Sequence, residues 1–295
     1  MRKSNLLTFS AMACLASVML TSCEERTGTT PDVPALDSNE ISSTGTMSLE
    51  REIISVPSPA QIAVLIERAN IPFDATLMNP LANASVYVTE PRKAMGLGVL
   101  GADLAYAANY ESGQLNMDYF NAIGKLASDL QIIDHLDPKL ITSLNNNIGN
   151  KEELLRLNAR FFQAGDNYMK ESQRPDLAAL VLLGGWVEAL YISVKAGRAN
   201  EDIIARVGEQ KYAAASMTRL IGKITDPSLK AVQDQLALLN EEFKGLRTIY
   251  TYQKPINDSK EKITYLRGKT TVEVTAQQLA ALEQAISNLR NLIIR

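Results

Sequence analysis

Hydrophobic positions along the chain recur at steps of three and four over long stretches, interrupted by short polar punctuation. Leu229, Val232, Leu236, Leu239, Phe243, Leu246 and Tyr250 follow that rule, as do Leu279, Leu282, Ile286, Leu289 and Ile293. Each set therefore lines one face of a helix. The second seam covers only about two heptads, fewer than the three or four that mark a coiled coil, so both faces are expected to pack inside one domain at shallow crossing angles. A different pattern occupies LAALVLLGGWVEALYISV, residues 177–194, where Glu188 is the single charge. A helix apolar on nearly all sides belongs at the centre of a bundle.

The punctuation between these stretches is helix-start chemistry. Ser58-Pro59-Ala60-Gln61 places a capping serine, a first-turn proline and a glutamine three residues on, and Asn150 with Glu153 and Thr275 with Gln278 repeat the capping spacing. Asp137-Pro138 and Asp226-Pro227 are further start signals, and Asn200 precedes Glu201 and Asp202, whose charges suit the positive end of a helix dipole. The pattern predicts helices over 58–69, 92–111, 115–131, 138–148, 151–171, 175–196, 201–224, 227–252 and 276–294. Between the last two, ITYLRGKTTVEVT carries β-branched residues around Arg267-Gly268-Lys269, the composition of a short hairpin. The expected fold is all-α, a bundle of eight or nine helices with one short β-hairpin before the C-terminal helix. Residues 58–295 form a single domain in this reading.

The start of the chain follows another logic. Arg2 and Lys3 precede an uncharged run from Leu6 to Leu20, shorter than the roughly 18 apolar residues that cross a bilayer, so it reads as an export signal over 1–22. The run ends in L-T-S-C, Leu20 to Cys23, which resembles the lipobox of bacterial lipoproteins. The resemblance implies a thioether-linked lipid on Cys23, cleavage before it, acylation of the new amino terminus with a fatty acid such as palmitate, and membrane attachment through that lipid. Several acyl chains hold firmly where one holds only marginally. Glu24-Glu25 is similar to the acidic export signal of surface lipoproteins in Bacteroidota, which adds the outer membrane and its surface to the expected locations. From 23 to 57 the chain is rich in Thr, Ser, Asp and Pro without sustained periodicity, the composition of a flexible tether with a span of roughly 30 Å.

Loss of the signal would leave 28 basic against 33 acidic residues, a net charge of −5. That balance argues against a nucleic-acid partner, which needs clustered basic residues. Cys14 would leave with the signal and Cys23 would be acylated, so no disulfide or thiolate metal site is expected.

Candidate chemistry is sparse. GLGVLG, Gly96 to Gly101, has the letters of a dinucleotide fingerprint, but that motif needs a strand before it and a βαβ unit around it, and neither is expected here. Its glycines read instead as a helix face that admits close approach of another helix. Gly184-Gly185 inside the apolar stretch suggests the same, because glycine costs up to about 1 kcal/mol in a helix interior relative to alanine. Asp103 with Tyr106, and Glu188 with Tyr191, stand three apart on shared faces. Enclosed carboxylates need a partner or a raised pKa, so Asp103, Tyr106, Trp186, Glu188 and Tyr191 form the candidate ligand pocket. The competing reading makes both acids structural, bonded to a tyrosine or a basic residue. Phe161-Phe162 reads as core. His135, the sole histidine, falls in DHLDP, a turn before a helix, so histidine zinc sites are excluded. No HExxH, GxSxG, P-loop or calcium loop occurs. No catalytic residue, metal site or cofactor is assigned.

SPAQIAVLIERANIPFDATLMNP, KAMGLGVLGADLAYAANY, NNNIGNKEELL and GGWVEALYI together resemble an uncharacterised family of all-helical lipoproteins of Bacteroidota over most of the chain after residue 57. Members read K-A-L-N-L-G-x-Y-G-A-D-L, N-x-x-N-K-D-S-L and G-G-W-x-E-x-L-Y. This chain departs at Met95, Leu100 and Glu152-Glu153. The resemblance implies fold and compartment but no reaction. The expected function is a lipid-anchored cell-envelope protein whose helical domain binds an envelope partner or organises the envelope. Two alternatives stand beside it: an enzyme or small-ligand binder built on Asp103 and Glu188, and a structural subunit of an outer-membrane complex.

Overall fold

The computed structural model describes residues 45–49, 52–56, 59–110, 113–258, 262–266 and 268–295. Cys23, the export signal and most of the expected tether lie outside the described residues, as does Ser58. Among the described residues, capping side chains mark where five α-helices begin, after Thr89, Asp137, Asn150, Asn200 and Thr275. Asn150 accepts from the Glu153 amide at 3.0 Å, Asn200 from Ile203 at 3.1 Å and Asp137 from Lys139 at 2.9 Å. Thr275 and Gln278 form a complete capping box.

Ten α-helices result among the described residues: α1 Pro59–Arg68, α2 Glu90–Ala108, α3 Gly113–Asp129, α4 Pro138–Asn146, α5 Lys151–Glu171, α6 Pro175–Ala196, α7 Glu201–Glu209, α8 Lys211–Gly222, α9 Lys230–Lys244 and α10 Ala276–Ile294. The architecture is all-α, with short antiparallel strand pairs attached. Helices α2 and α6 form the central pair. Helices α1, α5 and α10 touch both, α3 covers α2, α7 and α8 cover α6, and α9 lies against α8 and α10. Helix α6 is long and apolar enough to cross a membrane, yet 89% of its apolar window is buried inside the protein. Its hydrophobicity is used in the core.

The glycines explain how α2 and α6 approach so closely. A Cβ at Gly98 would stand 2.0 Å from the Val181 carbonyl oxygen, and one at Gly184 would stand 2.0 Å from that of Met95. Backbone meets backbone at both places, so no side chain fits. Gly96 and Gly101 receive the rings of Tyr87 and Phe162. The GLGVLG stretch thus lies wholly within α2, as a packing face and not a phosphate loop.

The two expected seams are real and intramolecular: Leu229, Val232, Leu236, Leu239, Phe243 and Leu246 are buried, as are Leu279, Leu282, Ile286, Leu289 and Ile293, and α9 packs on α10. Several boundaries differ from the sequence pattern. The helix expected over 201–224 breaks at Gln210, whose buried side chain accepts from Trp186 Nε1 at 3.3 Å. The helix expected over 227–252 opens with a 3-10 turn at Pro227–Leu229 and stops at Lys244, with Gly245 at its C-cap.

Beyond that cap, the β-branched stretch becomes strand β3, Arg247–Thr251, so Tyr250 is exposed instead of extending the seam. Strand β3 pairs with β6, Lys269–Glu273, while β4, Ile256–Asp258, pairs with β5, Ile263–Tyr265. The expected hairpin around Arg267-Gly268 is therefore replaced by two nested antiparallel pairs. Finally, β1, Gly45–Leu49, and β2, Glu52–Val56, form a hairpin within the range expected to be tether. Ile53, Ile54 and Val56 give that segment the β-branched content that strand pairing uses.

Candidate functional site

Three helices and one loop converge on a sealed polar cluster. Helix α2 supplies Asp103, α6 supplies Glu188 and α10 supplies Arg290; the two acids are fully buried and Arg290 is 6% exposed. Arg290 meets Glu188 as a two-pronged fork, with Nε donating to Oε2 at 2.7 Å and Nη2 to Oε1 at 2.6 Å. Nη2 also donates to the Leu77 carbonyl at 3.2 Å, which pins the loop before α2 to the C-terminal helix. The guanidinium carbon lies 4.0 Å from the centre of the Tyr191 ring, a cation–π contact that covers the outer side of the pair.

Asp103 is held differently. Its Oδ2 accepts from the Asn79 backbone amide at 3.2 Å, and its Oδ1 faces no donor. Burial, then the negative charge of Glu188, pushes the Asp103 pKa well above its ordinary 3.8, and Asp103 hydrogen-bonds to Glu188. A proton on Oδ1 would give that oxygen a role, with Glu188 as the neighbouring acceptor. Burial raises Glu188 as well, but the Arg290 bonds and charge and the Asp103 proton oppose it. Burial alone would lower Arg290, and its bonds to Glu188 more than compensate. With that proton the cluster is one neutral acid, one carboxylate and one guanidinium, a net charge of zero, which lowers the cost of burying it.

Asn79 extends the network. Its Nδ2 donates to the Tyr87 hydroxyl at 2.9 Å, its Oδ1 accepts from Asn83 at 2.8 Å and its carbonyl accepts from the Tyr119 hydroxyl at 2.6 Å. Burial raises the pKa of both phenols, Tyr87 against the bond from Asn79 and Tyr119 with help from the nearby acids. Both stay neutral donors and acceptors.

Of the five residues expected to share a pocket, the structure joins Asp103, Glu188 and Tyr191 through Arg290. The other two sit elsewhere. The Tyr106 hydroxyl accepts from the Asp74 amide at 3.1 Å, and its ring packs among Phe73 and Tyr110 at 5.2 and 5.5 Å. Trp186 turns to Gln210 and lies 6.5 Å from Phe243. Tyr106 does line a crevice, with Ile62, Ala63, Ile66, Ala102, Ala189 and Ile192, but its empty volume is about 170 Å³ even counting space open to solvent. Small-molecule sites run from about 300 Å³ upward. Neither acid lines it.

Sequence reasoning missed Arg290, Asn79, Tyr87 and Tyr119. The signal for Arg290 was present: it stands four after Ile286 and three before Ile293, a charge set into an apolar seam. His135 is exposed and stacks on Tyr168 at 4.1 Å, and Phe161 and Phe162 pack in or against the core. Among the described residues no group of three or more acids, histidines or cysteines could hold a metal ion. Comparison with models of known protein families, with curated proteins and with solved structures gives no match.

Proposed function

We propose that the chain is a cell-envelope lipoprotein, attached to a membrane through an acylated Cys23, whose helical domain binds a partner or organises the envelope without performing a reaction of its own. The observation that supports the non-catalytic part most is the internal commitment of both buried acids. Glu188 is occupied on both oxygens by Arg290, and Asp103 by Asn79 and Glu188. A general acid or base must reach a proton on a substrate, and these two reach only each other and the fold. The rival reading, a carboxylate site, draws on one feature: burial and the charge of Glu188 push the Asp103 pKa well above the ordinary carboxylate range, as in many catalytic acids.

A broad ligand and substrate screen on wild type, Asp103→Asn and Glu188→Gln separates the two. Binding that follows stability across the three proteins fits a structural cluster. A folded Glu188→Gln protein that loses a turnover signal, or a ligand-induced rise in Tm shown by wild type, contradicts it. Copurification after gentle solubilisation then identifies the partner, and a fixed stoichiometric assembly would make the chain a subunit of a larger envelope complex.

A further inference from the structure

The β3–β6 segment is chemically unlike the rest of the molecule. Across 247–269 the sequence carries six basic residues, Arg247, Lys254, Lys260, Lys262, Arg267 and Lys269, against Asp258 and Glu261, within a chain whose net charge is −3. The same segment concentrates exposed apolar side chains: Tyr250, Tyr252, Ile256, Ile263, Tyr265 and Leu266, the last 83% exposed.

The register shows how these are sorted. Ile256 stands opposite Tyr265 and Asp258 opposite Ile263, whereas Asn257 stands opposite Thr264. Cross-strand partners share a face and neighbours along a strand alternate. One face of the β4–β5 ribbon therefore carries Ile256, Ile263 and Tyr265, with Asp258 at its end opposite Ile263, and the other carries Asn257 and Thr264, joined by a 3.0 Å hydrogen bond. The three large apolar side chains of the first face are exposed. At the root the arrangement is the reverse: Val272 is buried, and it packs with Val274 against Gly208 of α7. The segment is thus fastened through β6 and amphipathic along β4 and β5.

Tyrosine rings, exposed aliphatics and surrounding lysines are the combination that settles at a lipid–water boundary, with rings and aliphatic chains at headgroup depth and ammonium groups among anionic phosphates. Strand β2 lies against α8, the helix that directly follows α7. We propose that the β4–β5 ribbon is a membrane-contact element that seats Ile256, Ile263, Tyr265 and Leu266 in the interface of an anionic bilayer. This contact is additional to any lipid on Cys23 and does not depend on it.

The test uses the full chain carrying Leu266→Trp. Trp186, the only native tryptophan, is buried and gives a constant background. The protein is mixed with vesicles of brominated phosphatidylcholine, with or without phosphatidylglycerol. The expected result is blue-shifted emission quenched by bromine in phosphatidylglycerol vesicles and much less in neutral ones. Lys254→Gln with Lys262→Gln should weaken that partitioning about thirtyfold, from roughly fivefold for each basic residue near such a surface. Raising salt from about 0.15 M to about 0.5 M should weaken it too.

A second pair of substitutions, Ile263→Ser with Tyr265→Ser, should abolish quenching while the far-UV spectrum and Tm stay unchanged, because both side chains are exposed. Quenching that persists in Cys23→Ala supports the ribbon contact even if the anchor is wrong. Protein that sediments with anionic vesicles while residue 266 stays unquenched overturns the proposal and leaves the anchor standing. Equal quenching in neutral vesicles, or a signal without lipid that tracks dimer formation, also overturns it, the latter assigning the ribbon to a second copy.

Discussion

At the residue scale, the account rests on where one proton sits. If Asp103 is the neutral acid, its isostere is asparagine, which can still accept from Asn79 and donate to Glu188. Asp103→Asn should therefore match wild type in stability near pH 4 and exceed it at neutral pH, where wild type must keep a proton that its unfolded chain has released. Glu188→Gln leaves the buried Arg290 without its counter-ion and should cost about 3–5 kcal/mol, read as a lower denaturation midpoint. Arg290→Met should cost a similar amount, because it strands Glu188.

The pH dependence has a definite sign. Asp103 has a folded pKa raised above its unfolded value, so the folded protein keeps a proton that the unfolded chain has released. Its contribution to stability is complete below about pH 4 and declines as pH rises toward the folded pKa. Glu188 contributes in the same direction. Urea titrations at several pH values should show wild type losing stability relative to Asp103→Asn as pH rises. A constant difference would mean that Asp103 is ionised in the folded state.

The two acids were legible in the sequence as isolated charges in apolar stretches. Their partner was harder to see. Arg290 lies 102 residues from Glu188, and nothing local pairs them. Asn79 reaches Asp103 through its backbone amide, which no side-chain pattern encodes.

At the element scale, helices whose starts are fixed by local capping were readable almost to the residue, as α4, α5 and α10 show. The break at Gln210 was not, because no glycine or proline marks it. Its side chain instead completes a bond to Trp186, and Gly208 receives Val272 and Val274 from the β segment. The end of α9 was visible in Gly245 and the β-branched run after it, but the apparent continuation of the seam to Tyr250 masked the change. Strand pairing is non-local, so composition identified strand material in 263–275 without choosing its partners.

The glycine contacts give two opposed substitutions. Gly98→Ala drives a methyl into backbone and should cost at least the 1–3 kcal/mol typical of overpacking, about the size that a melting curve resolves well. Gly124→Ala on α3 meets nothing within 4 Å and should stabilise by up to about 1 kcal/mol through helix propensity. Thermal denaturation of both, side by side, checks the close approach of α2 and α6. In α10, Leu282→Ala and Leu289→Ala remove fully buried side chains and should each cost about 2–5 kcal/mol. A double variant that keeps its Tm would contradict the intramolecular seam.

At the scale of the whole molecule, a buried, hydrogen-bonded cluster ties α2, α6 and α10 around one core, and an amphipathic ribbon, β4–β5, adjoins the β3–β6 pair. The apolar helix that could pass for a membrane span is consumed by that core; the attachment we propose is through a lipid on Cys23 and, at the surface, through the ribbon. The most direct test of the proposed attachment is fatty-acid labelling of the protein in its native envelope, with the mass of its N-terminal peptide. The account predicts a labelled membrane protein whose N-terminal residue is an acylated Cys23, and loss of label in Cys23→Ala. An unlabelled wild-type protein, or label that survives in Cys23→Ala, would contradict it.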